Sequence, residues 1–341
     1  MKKIICLCLA LAVLLCACAT EKPATKTSRS FVDDLGRSVQ IPDRITRIMP
    51  SAAMSQLILT AIAPDLMVGL ATEADDPLLP ESIRSLKNFG KLHEVNAEEL
   101  ALAQPQVIID IGEPKDSVRE ELENLEQKTL IPTIYLSATL ETMPETFRKL
   151  GALLDREEKA EELAQFCERT YARTKRILQS AEKADCLYVV GAEGLNVIAQ
   201  SSYHAQLVDL LTHNLAVVDN PLSKGSGNAV TPEQIALWNP EFVLFESDSI
   251  YDTARDNPCW QHITAIRNNH FVEVPKRPYP WLSMPPSVQR YLGMLWLTYV
   301  LYPELCDYDL QAEVTEYFRL FYGCELTGAQ YEDLLKNSML K

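Results

Sequence analysis

One phrase occurs twice in this chain at a fixed spacing. Around Glu98 the sequence reads Asn96-Ala-Glu-Glu-Leu-Ala-Leu-Ala-Gln-Pro105-Gln-Val-Ile-Ile-Asp110. Around Glu233 it reads Thr231-Pro-Glu-Gln-Ile-Ala-Leu-Trp-Asn-Pro240-Glu-Phe-Val-Leu-Phe245. The two glutamates and the two prolines are each 135 residues apart. Each copy has a local physical reading. Asn96 and Thr231 are good N-caps, and Glu99 and Gln234 stand three places later, as a capping box requires. Pro232 takes the first helical position, where its missing N–H is not needed. Pro105 and Pro240 end the helices, and the apolar runs 107–111 and 242–245 read as strands buried on both faces. Such strands belong to mainly parallel sheets flanked by helices. Two lobes on one plan imply a cleft between them, where small ligands bind.

The rest of the chain fits an α/β organisation. Between residues 44 and 139 short apolar runs (45–49, 67–70, 107–111 and 133–136) alternate with helical patterns such as 52–63, the signal of βαβ units. After Pro144 apolar residues recur at helical spacing from Phe147 to Ile177 without another proline. That predicts one helix over 145–181, about 37 residues and about 55 Å long, linking the lobes. The βα pattern resumes at 187–190 and runs to 271–274. A proline-rich turn (275–286) then leads into an apolar helix over 288–302, and 309–335 reads as two short helices with aromatics packed on one face. The expected divisions are a first lobe at 31–139, the connecting helix at 140–182 and a second lobe with C-terminal helices at 183–341.

The N-terminus is Met1-Lys2-Lys3 followed by fourteen apolar residues to Ala17. A helix of that length is about 21 Å long, short of the roughly 30 Å hydrocarbon core. A basic start, a short apolar run and small residues describe a secretory signal peptide over 1–17. Leu15-Cys16-Ala17-Cys18 resembles a bacterial lipoprotein processing box, which implies lipid attachment at Cys18 and a polar tether over 18–30. The expected location is therefore outside the cytoplasm, held to the membrane by that lipid.

The formal charge is −15, and removing 1–17 takes away two lysines and no acid, leaving −17. Such a surface disfavours nucleic acid and anionic lipid as partners. Five cysteines lie beyond Cys18, at 167, 186, 259, 306 and 324, with no Cys-x-x-Cys spacing. An odd number cannot pair completely. The chain has no Gly-x-Ser-x-Gly, His-Glu-x-x-His, Gly-x-Gly-x-x-Gly or Walker A motif, so no catalytic residue is assigned and an enzyme is not expected. The histidines at 93, 204, 213, 262 and 270 show no metal-ligand spacing.

With these pieces assembled, the mature chain resembles the helical-backbone (class III) substrate-binding proteins of bacterial ABC importers for ferric siderophores, haem and cobalamin. The matching pieces are residues 33–42 and 44–48, the two glutamate phrases, the connecting helix, residues 260–275 and the closing helix with Gly293, Trp296 and Tyr302-Pro303-Glu304. The resemblance implies two Rossmann-like lobes joined by one long backbone helix, with little opening or closing. It also implies docking of Glu98 and Glu233 onto arginines of the two permease subunits, which work with an ATPase. The glycine pair frequent in the family near position 214 is absent; Thr212-His213-Asn214 stands there.

No resident cofactor is expected; the ligand is a metal chelate, foremost a ferric siderophore, with haem or cobalamin as alternatives. A further alternative is a lipoprotein or enzyme on the same fold that transports nothing. The ligand belongs at loops after the carboxyl ends of the strands. Those loops are 50–52, 72–73, 90–91 and 112–113 on the first lobe, and 202–204, 225–228, 247–248 and 277–281 on the second. Planar or anionic chelates suit aromatic walls and a few cations. That makes Arg277, Tyr279 and Trp281 the first candidates, then Tyr203 and His204, with Ser51 and Lys91 on the facing lobe. Haem would take an axial ligand from Tyr203, His204 or Met284.

Overall fold

The computed structural model describes residues 27–92 and 94–340. The expected signal peptide, most of the tether, Cys18 and His93 lie outside the described residues. The chain forms two parallel-sheet lobes flanked by helices, as the apolar strand pattern requires. An antiparallel hairpin of β1 (Ser28–Val32) and β2 (Ser38–Pro42) opens the structure, so residues 28–30, expected as tether, are strand. Buried Asp33 holds the hairpin turn by accepting from Arg37 Nε (2.9 Å) and Nη2 (2.7 Å). Arg37 Nη2 also donates to Thr133 O at 2.7 Å and so ties the hairpin to the first sheet.

That sheet is β3 (Ile48–Pro50), β4 (Val107–Gly112) and β5 (Thr133–Ser137), all parallel. The run at 67–70 is not a strand; only the bridges Ile48–Met67 and Leu70–Asn88 extend the sheet there. In the second sheet β6 (Asp185–Val190), β10 (Phe242–Phe245) and β11 (Phe271–Glu273) are parallel in the order β11-β10-β6. Short strands β8 (His213–Asn214), parallel, and β7 (Asn196–Val197), antiparallel, continue from β6, and β9 (Asn228–Ala229) pairs with β7.

The duplicated phrase is duplicated in hydrogen-bond register. Its helices are Ala97–Leu102 and Pro232–Trp238. Both are followed by a left-handed residue, Gln104 (φ 46°) and Asn239 (φ 39°), and then by a buried proline. Gln106 N donates to Arg47 O and Glu241 N to Asp185 O, both at 2.9 Å. Ile108 N donates to Pro132 O at 2.9 Å and Val243 N to His270 O at 3.1 Å. Thus β3-β4-β5 and β6-β10-β11 are equivalent triplets. Asn96 and Thr231 cap their helices through Glu98 N and Gln234 N. Neither expected capping box closes: Lys87 holds Glu99 in an ion pair, and Gln234 contributes only its backbone N–H to Thr231.

The connector differs from the expected rod over 145–181. It is a helical hairpin, Met143–Leu154 and Glu157–Leu178, broken at Asp155 (φ 56°). A Cβ on Gly151 would stand 2.5 Å from Ala160 Cβ, so the hairpin closes tightly only over a glycine. The break carries neither proline nor glycine, and the apolar rhythm runs across it, which is why the periodicity reads as one helix. The 22-residue second helix alone, about 33 Å long, carries the chain to the second sheet.

The lobes share one core. The buried helix Arg290–Leu301 packs on Glu157–Leu178, and the segment Phe318–Tyr322 returns to pack on the first-lobe helix Ala53–Ile62. Phe321 stacks on Tyr317 at 4.2 Å and meets Phe166 edge-on at 5.4 Å and Phe147 at 6.1 Å. The segment 183–341 is therefore not a separate body. Apolar surface common to both lobes holds them at a fixed relation, because parting them would expose it to water. Among the described residues no helix is long and apolar enough to cross a membrane, and the five cysteines are unpaired.

Candidate functional site

Parallel strands deliver their following loops to one edge of each sheet, and here the two edges meet at a seam. The loop after β4, with Glu113 and Lys115, faces the turn 202–206 of the second lobe. Ser202 caps that turn by accepting from Ala205 N at 3.2 Å. Tyr203 crosses the seam, its Oη donating to Ala138 O at 2.6 Å. Beneath it lies Arg290, fully buried, with its guanidinium 4.8 Å from the Tyr203 ring centroid. Arg290 donates to Gln206 Oε1 (2.9 Å), Ser287 O (3.3 Å) and Tyr203 Oη (3.3 Å), and forms no ion pair among the described residues.

His204 is the reactive-looking group of the seam. Burial first, with Arg290 and Lys115 nearby, pushes its imidazole down to about 4, so it is neutral at ordinary pH. Its Nδ1 is buried without a hydrogen-bond partner among the described residues. A Cβ on Gly225 would come within 3.1 Å of Met284 Sδ and 3.6 Å of His204 Cε1. Glycine there lets the loop lie against a neutral imidazole and a thioether, both electron-pair donors by type. Lys115 is exposed and 3.2 Å from Glu113. The seam thus combines one ammonium group, a neutral nitrogen base and a soft sulfur.

The leading candidates are placed as follows. Trp281 is fully buried, donates Nε1–H to Arg277 O at 2.9 Å and meets Trp296 edge-on at 6.4 Å. Tyr279 is 9% exposed, with Gln56 Nε2 3.3 Å from its Oη. Arg277 is engaged by Asp76 (2.8 Å) and Asp333 (3.2 Å) and borders a cavity of about 220 Å³ together with Lys276 and Lys336. The proline-rich loop is therefore an interlobe lock whose aromatics are core. Ser51 is also committed, its hydroxyl bonded to Asp110. Lys91 stays exposed, and Tyr203 serves the seam itself. Glu98 and Glu233 are both exposed, each second in its helix, and neither forms an ion pair among the described residues.

Sequence reasoning missed Arg290 and Glu246. Their one signal was a charge abutting an apolar run: Glu246 directly follows the buried strand Phe242–Phe245, and Arg290 begins an otherwise apolar helix. Glu246 is 2% exposed and accepts from Tyr188 Oη and from Ser247 N at 3.1 Å. Burial pushes its carboxyl from 4.5 up to about 7. On the first lobe, burial likewise raises Asp110, opposed by its bond from Ser51.

For Glu246 the folded state holds the proton more tightly than the unfolded chain. Its contribution is thus fully present below about pH 4.5 and lost as pH rises through about 7. Urea unfolding of Glu246→Gln beside the parent should show the variant gaining roughly 3 kcal/mol relative to the parent between pH 4 and 8. A difference independent of pH would contradict a buried, protonatable Glu246.

A family model described as periplasmic binding protein matches residues 53–278. The chain is 23% identical over 259 residues to the Fe(3+)-citrate-binding protein YfmC of Bacillus subtilis, covering 72% of this chain and 78% of that one. A solved ABC transporter solute binding protein from Sulfurospirillum deleyianum superimposes with a TM-score of 0.82 at 25% identity, over 90% of this chain and 99% of that one. A periplasmic solute binding protein from Veillonella parvula gives 0.75 at 24% identity, over 92% and 98%, and supports the fold.

Proposed function

Because the chain belongs to the periplasmic binding protein family, we propose that it is the extracytoplasmic substrate-binding component of an ABC importer. In this reading it captures an iron(III) chelate at the seam and delivers it to a membrane permease. The observation that carries the reading is the equivalence of Glu98 and Glu233: two exposed carboxylates, unpaired among the described residues, at matching positions of two lobes that share one core. A lipid on Cys18 would keep the protein beside that permease.

The ligand class rests on the seam and on the similarity to an Fe(3+)-citrate-binding protein. Lys115, beside Glu113, offers a cation to an anionic chelate at the seam, with Lys91 exposed elsewhere on the same lobe, while the neutral His204 and Met284 line the loop at Gly225. Ferric iron arrives already chelated, so the protein need not complete its coordination. Haem is the second reading, favoured because His204 and Met284 border one glycine and both are haem-ligand types.

The test is the melting temperature of residues 27–341 with ferric citrate, a ferric hydroxamate siderophore, haem or cobalamin. A ligand at a hundred times its Kd adds about 2.7 kcal/mol to stability. One ferric chelate should therefore raise the melting temperature by several degrees, and Lys115→Ala should weaken that effect. Haem alone doing so would select the second reading. No shift with any of the four at 100-fold excess would remove the chelate assignment.

A further inference from the structure

Another pair of residues at the 135-residue spacing lies outside the packed core. Leu102 is 84% exposed and Leu237 is 78% exposed, each four positions after its glutamate. Side chains at i and i+4 lie on one helical face. Each lobe therefore presents a carboxylate with a leucine one turn away, and the exposed Ala101 or Ala236 between them screens neither. The buried side of each helix is already served by Leu100 and Ile235, both fully buried. A single exposed leucine is ordinary. Two at equivalent positions, each beside a carboxylate unpaired among the described residues, form a repeated contact unit.

We propose that Leu102 and Leu237 are the apolar anchors of the docking face. Each enters a pocket on one of two like membrane subunits, while the neighbouring Glu98 or Glu233 meets a cation at the pocket rim. This rests on the importer reading above and adds to it the residues that supply affinity. The duplication asks for a partner with two similar halves, and the carboxylates ask that each half be cationic. A second copy of this chain, with formal charge −15, would bring like charges together. An anionic lipid surface would repel both glutamates. A side chain fully desolvated in a partner's pocket can supply most of an interface's affinity, while charges at the rim orient the partner.

The experiment places a photo-activated benzoylphenylalanine at Ala101 or Ala236 of the full chain in cells of the source organism, with Val217, 65% exposed, as the control position. Cross-linked products are identified by mass spectrometry. Positions 101 and 236 should each label a polytopic ABC-importer subunit, and 217 should not. Combining the probe with Leu102→Ser and Leu237→Ser should cut the yield about tenfold or more, the scale of one buried leucine. Both sites are exposed, so the melting temperature should not change. If the serine variant labels normally while Glu98→Ala with Glu233→Ala does not, the leucine proposal falls and the importer reading stands. Labelling of lipid or of a second copy, or no labelling of a membrane subunit, removes both.

Discussion

Replacing Glu98 and Glu233 together with alanine is expected to abolish uptake in intact cells and leave the purified protein's ligand affinity within about twofold, because the arginine contacts they would make are charge-assisted and jointly worth many-fold in docking. Neither carboxylate holds the fold. Asn96 caps the first helix through Glu98 N, and Thr231 caps the second through Gln234 N, both using backbone amides that alanine retains. What alanine removes locally is the favourable placement of an anion in the first helical turn, a small and solvent-screened term at exposed sites. The Glu233 carboxyl is held below the usual range by its own backbone N–H and by Thr231, consistent with an anion there. Each single variant should retain part of the uptake, since one lobe would still engage. Uptake of the chelate that passes the melting test, measured beside calorimetry on the same protein, checks this. Wild-type uptake by the double variant would end the docking assignment.

Trp281→Ala should destabilise the protein by about 3–5 kcal/mol, the range for emptying a large aromatic site in a packed core. Trp281 closes the proline-rich loop over the helix Arg290–Leu301 with its ring edge-on to Trp296. Its carbonyl oxygen comes so close to Gly293 that a Cβ there would lie 2.2 Å away. The loop and helix are in backbone contact, and the vacated volume has no slack to collapse into. Urea unfolding checks the loss. The rival view, that Trp281 walls the ligand site, predicts an unchanged unfolding midpoint and a weakened chelate. The burial also bears on assays: Trp281 fluorescence would report binding only indirectly, since its ring is fully buried.

The lobe plan was legible because its signals are local. Caps at Asn96 and Thr231, stops at Pro105 and Pro240, and runs of Val, Ile and Phe act within a few residues of themselves, so a repeated phrase yields a repeated register. The connector was half legible. Its helical rhythm is real, but the reversal at Asp155 depends on Gly151 meeting Ala160, a contact that periodicity does not record.

The candidate site was the least legible part. Arg277, Tyr279 and Trp281 suit a chelate and suit a core equally well, since a guanidinium and two aromatic rings read the same in either setting. What separates the settings is the position of Asp76, Gln56 and Asp333, residues far away in the chain. The same holds for the grouping of Lys115 with His204, and for the burial of Glu246. The sequence by itself therefore determined the two-lobed α/β plan and the matched glutamates, through interactions between near neighbours. Only the tertiary structure decided which loops face the seam and which are sealed into the shared core, because burial is a property of the whole packed chain.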